Sequence, residues 1–295
     1  MVRKWFVRSA LAALLTCSSL HAVTREVAVT FDDLPANPAY AAKLLKAIRK
    51  SGAPAVGFVN ENKLTTPAHT AVLAKWLAAG LELGNHTYSH QSLNRIDAEE
   101  FERDVVRGEQ VTRGLAKRPL RWFRHPFLHT GLTLETKRRV ESFLTQHGYR
   151  VAPVTLDNAE WIFAAAYEKA TDAATRKRIG QAYVDYMDAK LAYYEDQSQK
   201  LFGRNIRHVL LVHGNRLNSD WFDDLAASMR KRGYRFITLD RAVEDEAYRS
   251  EDTFTGRGGI SWIHRWALTA GKKRAFFAGE PTTPTWIQDV AGIKE

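Results

Sequence analysis

Five short segments carry residue types suited to hydrolytic chemistry. Thr30-Phe31-Asp32-Asp33 places two adjacent carboxylates directly after an apolar run, and Asn85-His86-Thr87-Tyr88-Ser89-His90 places two imidazoles four residues apart. That spacing lets both rings face one ion if the segment makes a helical turn. With one Asp added, a divalent metal has three protein ligands and open positions for water and substrate. Phe123-Arg124-His125-Pro126-Phe127, Asp157-Asn158-Ala159-Glu160-Trp161 and Leu211-Val212-His213 follow in order. Taken singly, each also suits a polar strand exit or a core histidine. The pattern gains its meaning from all five falling at the ends of predicted strands.

Those elements alternate. β-rich runs at 26–31, 55–59, 81–84, 121–123, 149–155, 208–213 and 234–239 predict about seven strands. Helical periodicity predicts helices near 38–50, 66–79, 97–115, 133–147 and 218–231. Alternation of this kind implies a parallel sheet with crossover helices, either an open doubly wound sheet or a barrel. Both architectures place their sites at the C-terminal ends of strands. Residues 162–205 exceed any simple crossover, and Ile179, Tyr183, Tyr186, Met187, Lys190 and Tyr194 recur there at helical spacing. We read a helical insertion packed beside or over the main body, its tyrosines serving the core. The main domain then covers 23–250. Residues 251–295, with Gly256, Gly258, Gly259 and a Gly-Glu-Pro-Thr-Thr-Pro loop around the aromatic segment 260–266, form an extension wrapped on it.

The chain has 295 residues, 45% hydrophobic and 26% charged, enough to bury one large core or two small ones. That composition excludes a disulfide-stapled miniprotein and a disordered tail. No apolar run reaches 18 residues, which excludes a multi-spanning membrane protein. Residues 1–22 show a basic start (Arg3, Lys4, Arg8), a short apolar stretch and a small-residue exit at Ala22, the layout of a secretory signal peptide. Export to the periplasm or beyond follows, with no integral membrane segment once the leader is removed. A buried N-terminal helix, or lipidation at Cys17 after the ill-suited Thr16, are the alternatives. Cys17 is the single cysteine, so a mature chain has no disulfide and no thiolate ligand. Any metal falls to His, Asp and Glu, which suits zinc or a harder divalent ion. The formal net charge is +10, and losing Arg3, Lys4 and Arg8 with the leader lowers it by three. That mildly favours an anionic neighbour. The basic clusters 176–178 and 272–274 are short and separated, which speaks against nucleic acid as a partner.

In this order the five segments resemble the NodB-type polysaccharide deacetylases, carbohydrate esterase family 4, which remove acetyl groups from chitin, peptidoglycan and related glycans. The resemblance covers roughly residues 26–245. It implies an α/β fold, a distorted (β/α)7 barrel, here with a helical insertion and a C-terminal extension. Carried over by position, it makes Asp32 the general base, and Asp33, His86 and His90 the metal ligands. Arg124 would hold Asp32 ionised through a charge-assisted contact. The backbone N–H near Phe127 would help bind the oxyanion, and Leu211 would line the acetyl-methyl pocket. His213 would be the general acid, oriented and charged by Glu160, or by Asp157 if Glu160 does not reach it. Trp161 is a candidate groove wall. The implied cofactor is Zn2+, with Co2+, Mn2+ or Ni2+ as other divalent possibilities.

An amide carbonyl is a poor electrophile, so this chemistry needs a metal to polarise it and to acidify the attacking water. A carboxylate accepts the water's proton, and a charged imidazole protonates the departing amine. The expected activity is removal of acetyl groups from N-acetylated amino-sugar polymers or oligomers. Hydrolysis of another small amide, imide or ester on the same barrel is an alternative. So is a non-catalytic glycan-binding protein, whose mark would be loss of Asp32, His86, His90 or His213; all four are present. The sequence departs from the family pattern at Leu34 after the Asp pair, at His125 inside the arginine motif, at Glu160 where Asp is common, and in the long insertion. The oligomeric state is left open.

Overall fold

The computed structural model describes residues 25–295; the expected leader at 1–22, with Cys17, lies outside them. Seven strands form one parallel sheet: β1 (Arg25–Leu34), β2 (Val56–Val59), β3 (Glu82–Asn85), β4 (Trp122–Phe123), β5 (Arg150–Val151), β6 (His208–His213) and β7 (Tyr234–Phe236). Their order is β5-β4-β3-β2-β1-β6, with β7 paired to the start of β1. The two ends of the sheet meet where Leu156, just beyond β5, bridges Leu210 of β6. The amides of Thr155 and Leu156 both donate to the Val209 carbonyl at 3.0 Å. The expected distorted (β/α)7 barrel is what forms, and all seven strands fall within or against the predicted runs.

The helices are α1 (Pro38–Ser51), α2 (Pro67–Ala78), α3 (Ala98–Arg107), α4 (Gln110–Ala116), α5 (Leu134–Gln146), α6 (Glu160–Lys169), α7 (Ala173–Phe202), α8 (Arg216–Lys231), α9 (Leu239–Val243), α10 (Trp262–Thr269) and α11 (Thr285–Ala291). Alternation along β1 explains the two layers of core. Val27, Val29 and Phe31 face the helices, whereas Ala28 joins Val56, Phe58, Trp122, Ala152 and Val209 in a smaller cluster that Leu239 and Ala242 of α9 complete. A parallel strand is covered on both faces, which is why these runs read as continuously apolar.

The predicted helix 97–115 is broken at Gly108. A Cβ there would run into the backbone of Thr87 and Tyr88, so the chain breaks where α3 must press against the loop that carries His86 and His90. Asp104 of α3 fastens that loop by accepting from the Ser89 amide at 3.0 Å and the Ser89 hydroxyl at 2.9 Å.

The stretch 162–205 is helical, and its first helix, α6, begins two residues earlier, at Glu160. Tyr183 and Tyr194 of α7 are fully buried and Tyr186 nearly so. The Tyr183 hydroxyl donates to Asn218 at 2.8 Å, and that of Tyr186 accepts from the Ala159 amide at 2.8 Å. Packing tyrosines therefore anchor the start of α6. Residues beyond 250 lie against α6 and α7: Gln197 donates to the Phe276 carbonyl, and Lys169 to that of Ala291.

Candidate active site

Neighbouring residues of a regular strand point to opposite faces, so Asp32 and Asp33 could not both serve one site without a break. The register of β1 against β2 shifts between Phe31 and Leu34, and Asp33 takes φ +67°. This bulge brings both carboxylates to the barrel mouth. Leu34, which follows them, is buried in space left by two glycines: a Cβ on Gly57 or Gly214 would overlap its methyl groups.

The two histidines converge by a path other than the expected helical turn. Thr87 and His90 have φ of +64° and +59°, and the Thr87 hydroxyl accepts from the His90 amide at 2.9 Å. The tight loop reverses the chain and sets the rings 4.8 Å apart, edge to face. Asp33 Oδ1 lies 3.5 Å from His90 Nε2 and 3.9 Å from His86 Nε2. One ligand atom from each of the three residues falls within 4.8 Å of the others.

The tautomer of His86 follows from its partner. Nδ1 is 2.8 Å from the Arg124 carbonyl, which can only accept, so Nδ1 carries the proton. Burial, with His90 nearby, holds His86 well below its ordinary pKa. The neutral ring thus directs the Nε2 lone pair at Asp32 Oδ2, 3.8 Å away, and at Asp33 Oδ1. Neither Asp32 Oδ1 nor Asp33 Oδ1 accepts a hydrogen bond, although both are buried. Lone pairs facing one another without a proton between them are what a cation would resolve. The donor set of two imidazoles and one carboxylate suits zinc.

Arg124, fully buried at the end of β4, donates to Asp32 Oδ2 at 3.4 Å and to the Thr30 hydroxyl at 3.0 Å. Thr30 in turn donates to the Leu210 carbonyl at 2.7 Å. Arg124 does not win outright, because burial raises the Asp32 carboxyl to about 6 against its pull. Asp33 behaves oppositely. Burial raises it too, but Lys63, His86, His213 and His90 together hold it well below the usual carboxylate range.

Opposite stands His213, paired in register with Asp32 across β1 and β6. Its Nδ1 lies 2.7 Å from Glu160 Oε2. Glu160 has no exposed surface. Its other oxygen accepts from Asn218 at 2.7 Å and from Asn215. Burial alone would lower His213, but the charge and hydrogen bond of Glu160, with Asp33 and Asp32 behind, raise it to about 9. Asp157 does not meet His213 and so is not its partner. It precedes α6, accepts from the Asn158 amide at 2.9 Å, and is raised to about 6 by burial.

Phe127, with φ +56°, is 52% exposed and sets its ring 4.5 Å from that of His90. Leu211 and Trp161 line the same cavity as the two aspartates and His213. His125 turns away: it is buried between Phe101 and Phe123, neither ring nitrogen has a partner, and burial lowers it to about 3. Sequence reasoning missed Lys63, whose ammonium stands 3.3 Å from Asp33 Oδ1. Nothing local in a short turn after β2 signals it. It also missed Asn215 and Asn218, although an Asn two residues after a strand-end His, capping the next helix, was there to be seen.

The seven-stranded parallel barrel is a fold this chain shares with solved proteins described as carbohydrate esterases of family 4. Residues 21–152 match the family model described as polysaccharide deacetylase. A peptidoglycan-N-acetylglucosamine deacetylase of Bacillus cereus is 24% identical over 220 residues, 72% of this chain and 66% of that one. A chitin deacetylase of Pestalotiopsis sp is 28% identical over 141 residues, 47% and 44% of the two chains. The chain thus spans just under two thirds of the first relative and less than half of the second. Among solved structures, the peptidoglycan deacetylase PdaC of Bacillus subtilis superposes with a TM-score of 0.52 at 22% identity, covering 77% of this chain and 93% of that one. A CE4 family pseudoenzyme of Bacillus anthracis gives 0.53 at 13% identity, covering 75% and 66%. These likenesses at low identity concern the fold.

Proposed function

We propose that this protein is a metal-dependent deacetylase of N-acetylated amino-sugar glycans. The observation that carries the reading is the His86 Nε2 lone pair facing the unsatisfied Asp33 Oδ1 beside His90, the three residues offering ligand atoms within 4.8 Å of one another. Asp33, His86 and His90 would hold the ion, with zinc the best match and Co2+, Mn2+ or Ni2+ compatible. When bound, such an ion polarises the amide carbonyl and acidifies water.

The remaining steps belong to the chain's own residues. Asp32 takes the proton of the attacking water; with its carboxyl near 6 it is ionised at neutral pH and still a useful base. Arg124 and Thr30 fix its orientation. The backbone N–H near Phe127 donates to the developing oxyanion. His213, kept charged by Glu160, protonates the departing nitrogen so that the amine can leave. Leu211 borders the acetyl methyl, and Trp161 walls the groove. Asp157 takes no part in the proton transfers on this reading.

A leader at residues 1–22 would bring the enzyme to envelope glycans, and among the described residues no helix is long and apolar enough to cross a membrane. A second reading, hydrolysis of a small amide, imide or ester, draws support from the walls that α7 and the residues beyond 250 add to the cavity. A non-catalytic glycan binder draws none, because Asp32, His86, His90 and His213 all stand at the site.

The test is acetate release from N- and O-acetylated glycans and small amides, by protein stripped of metal and resupplied with zinc, beside Asp32→Asn. Zinc-dependent release from glycans that the variant loses is the expected result. Zinc binding with release only from small amides would move the activity to the second reading, and no zinc binding would overturn both.

A further inference from the structure

The reaction centre lies between two lobes of one groove, and Asp33, Trp161 and His213 line both. The first lobe, about 550 Å³, is bordered by Asn37, Tyr40, Lys63, His69 and Asn215. The second, about 720 Å³ including the reaction centre, runs past Asp157 to Lys190, His264 and Glu280. Lys190 belongs to α7, while His264 and Glu280 come from beyond residue 250. This far wall is therefore built by segments that the barrel does not need.

The wall is set firmly. Lys190 is 6% exposed, and its ammonium donates to Glu280 Oε1 at 2.6 Å, where the Tyr194 hydroxyl also donates at 3.1 Å. His264, 5% exposed, meets the Tyr193 hydroxyl at 3.1 Å. Behind these groups lie packed tyrosines and Phe277, so a bound chain cannot continue through them. The size is that of a cavity for a small ligand, roughly 300–1,000 Å³. Its chemistry is that of hydrogen-bond acceptors. Lys190 is already neutralised by Glu280, Asp157 keeps spare acceptor capacity, and Asp32 and Asp33 stand at the near side. Hydroxyl donors suit such a lining, while a carboxylate added at the far wall, away from His213, would meet Asp157 and Glu280 with Lys190 already paired.

We propose that this second lobe is a subsite for the terminal, uncharged sugar unit of an N-acetylated oligosaccharide, so that the protein works beside a chain end instead of along a polymer. The inference rests on the deacetylase reading for its chemistry and on the α7 and C-terminal wall for its selectivity.

The experiment uses the zinc-loaded protein and N-acetylglucosamine pentamer labelled with oxygen-18 at its reducing end. Mass-spectrometric sequencing of the singly deacetylated product locates the lost acetyl. Loss at one position next to an end is expected; loss spread over internal units would overturn the subsite and leave the deacetylase reading intact. Binding is read separately by calorimetry with Asp32→Asn, comparing the pentamer with pentamers bearing a carboxylate at one end or the other. At least about tenfold weaker binding is expected when the seated end is the charged one; equal affinity for all three overturns the subsite. End-dependent binding without acetate release from the native protein would keep the subsite and overturn the deacetylase reading. Thr282→Trp, at the exposed rim of the lobe, should raise KM about tenfold with kcat within about twofold; an unchanged KM speaks against the lobe.

Discussion

Glu160 Oε2 and His213 Nδ1 stand 2.7 Å apart, the carboxylate wholly buried and the ring at the edge of the groove. The pair fixes which ring nitrogen is free: Nδ1 faces Glu160, so Nε2 is left for substrate. It also sets the charge. Replacing Glu160 by Gln removes the influence that outweighs burial, so the His213 pKa falls from about 9 toward or below its ordinary value. The acid form would then be scarce at pH 8. We expect the alkaline limb of the pH–rate profile to move down and kcat at pH 8 to fall roughly 100-fold. An unaltered profile would remove Glu160 from the mechanism. The same shift has a stability sign. A histidine raised on folding stabilises fully below its unfolded pKa, near 6.5, and loses that contribution as pH rises through about 9. Native protein should therefore lose this increment across that window in denaturation curves, and Glu160→Gln should not.

The Arg124–Asp32 contact governs the other limb. Burial and Arg124 oppose one another at Asp32, with burial ahead and the carboxyl near 6. Without the guanidinium, burial loses its main opponent, His213 being the lesser one, and the pKa climbs further. Arg124→Met should move the acid limb of kcat/KM to higher pH, with activity lost as pH falls through a value above 6. Asp32→Asn should lose activity by at least about 100-fold at every pH while retaining zinc. An acid limb that stays in place in Arg124→Met would mean that Asp32 is not the titrating base.

Lys63 offers a test of the cation site that does not depend on turnover. Its ammonium stands 3.3 Å from the oxygen of Asp33 that also faces both histidines, so it opposes a bound cation. Both side chains are partly exposed, which screens the repulsion. Lys63→Ala should bind zinc roughly tenfold more tightly in a chelator-competition titration. Weaker binding would show instead that Lys63 orients Asp33, a role its contact with the Asp33 carbonyl at 3.4 Å would allow.

Much of this architecture is written locally. Buried parallel strands need unbroken apolar runs, and each of the seven could be found because its pattern lies within a few residues. The five polar segments at strand ends were legible for the same reason. What escaped the sequence depends on contacts between distant segments. Gly108 breaks a helix because the Thr87–Tyr88 backbone needs its space, and no window around residue 108 contains that fact. The four-residue spacing of His86 and His90 does bring the two rings together, but by a path other than the expected one, since two positive φ angles replace a helical turn. Arg124 was expected to keep Asp32 ionised, yet complete burial, which sequence does not reveal, weighs more. Lys190, His264 and Glu280 meet only after α7 and the residues beyond 250 have folded across the groove.

Gly259 illustrates how the C-terminal residues reach the reaction centre. In the sequence it is one glycine among three in a loop, but in the structure its Cα abuts the Phe127 carbonyl, and an added Cβ would overlap that oxygen. Both sides of the contact are backbone, so neither yields as a flexible side chain would. Phe127 and Leu128 already hold φ of +56° each, and Arg265 of α10 braces the following turn by donating to Thr130 and reaching the Leu128 carbonyl at 3.5 Å. Gly259→Ala must push this turn aside. If its backbone supplies an oxyanion donor, kcat should fall at least about tenfold while KM changes little, since one misplaced donor costs roughly 100-fold or more when lost entirely. The stability cost should be about 1–3 kcal/mol, as for other overpacked positions. Gly258→Ala is the control: its Cβ would meet only Ile260, at 4.0 Å, and both activity and denaturation midpoint should stay near native. Equal kcat in the two variants would separate the Phe127 turn from catalysis and leave Gly259 a packing residue alone.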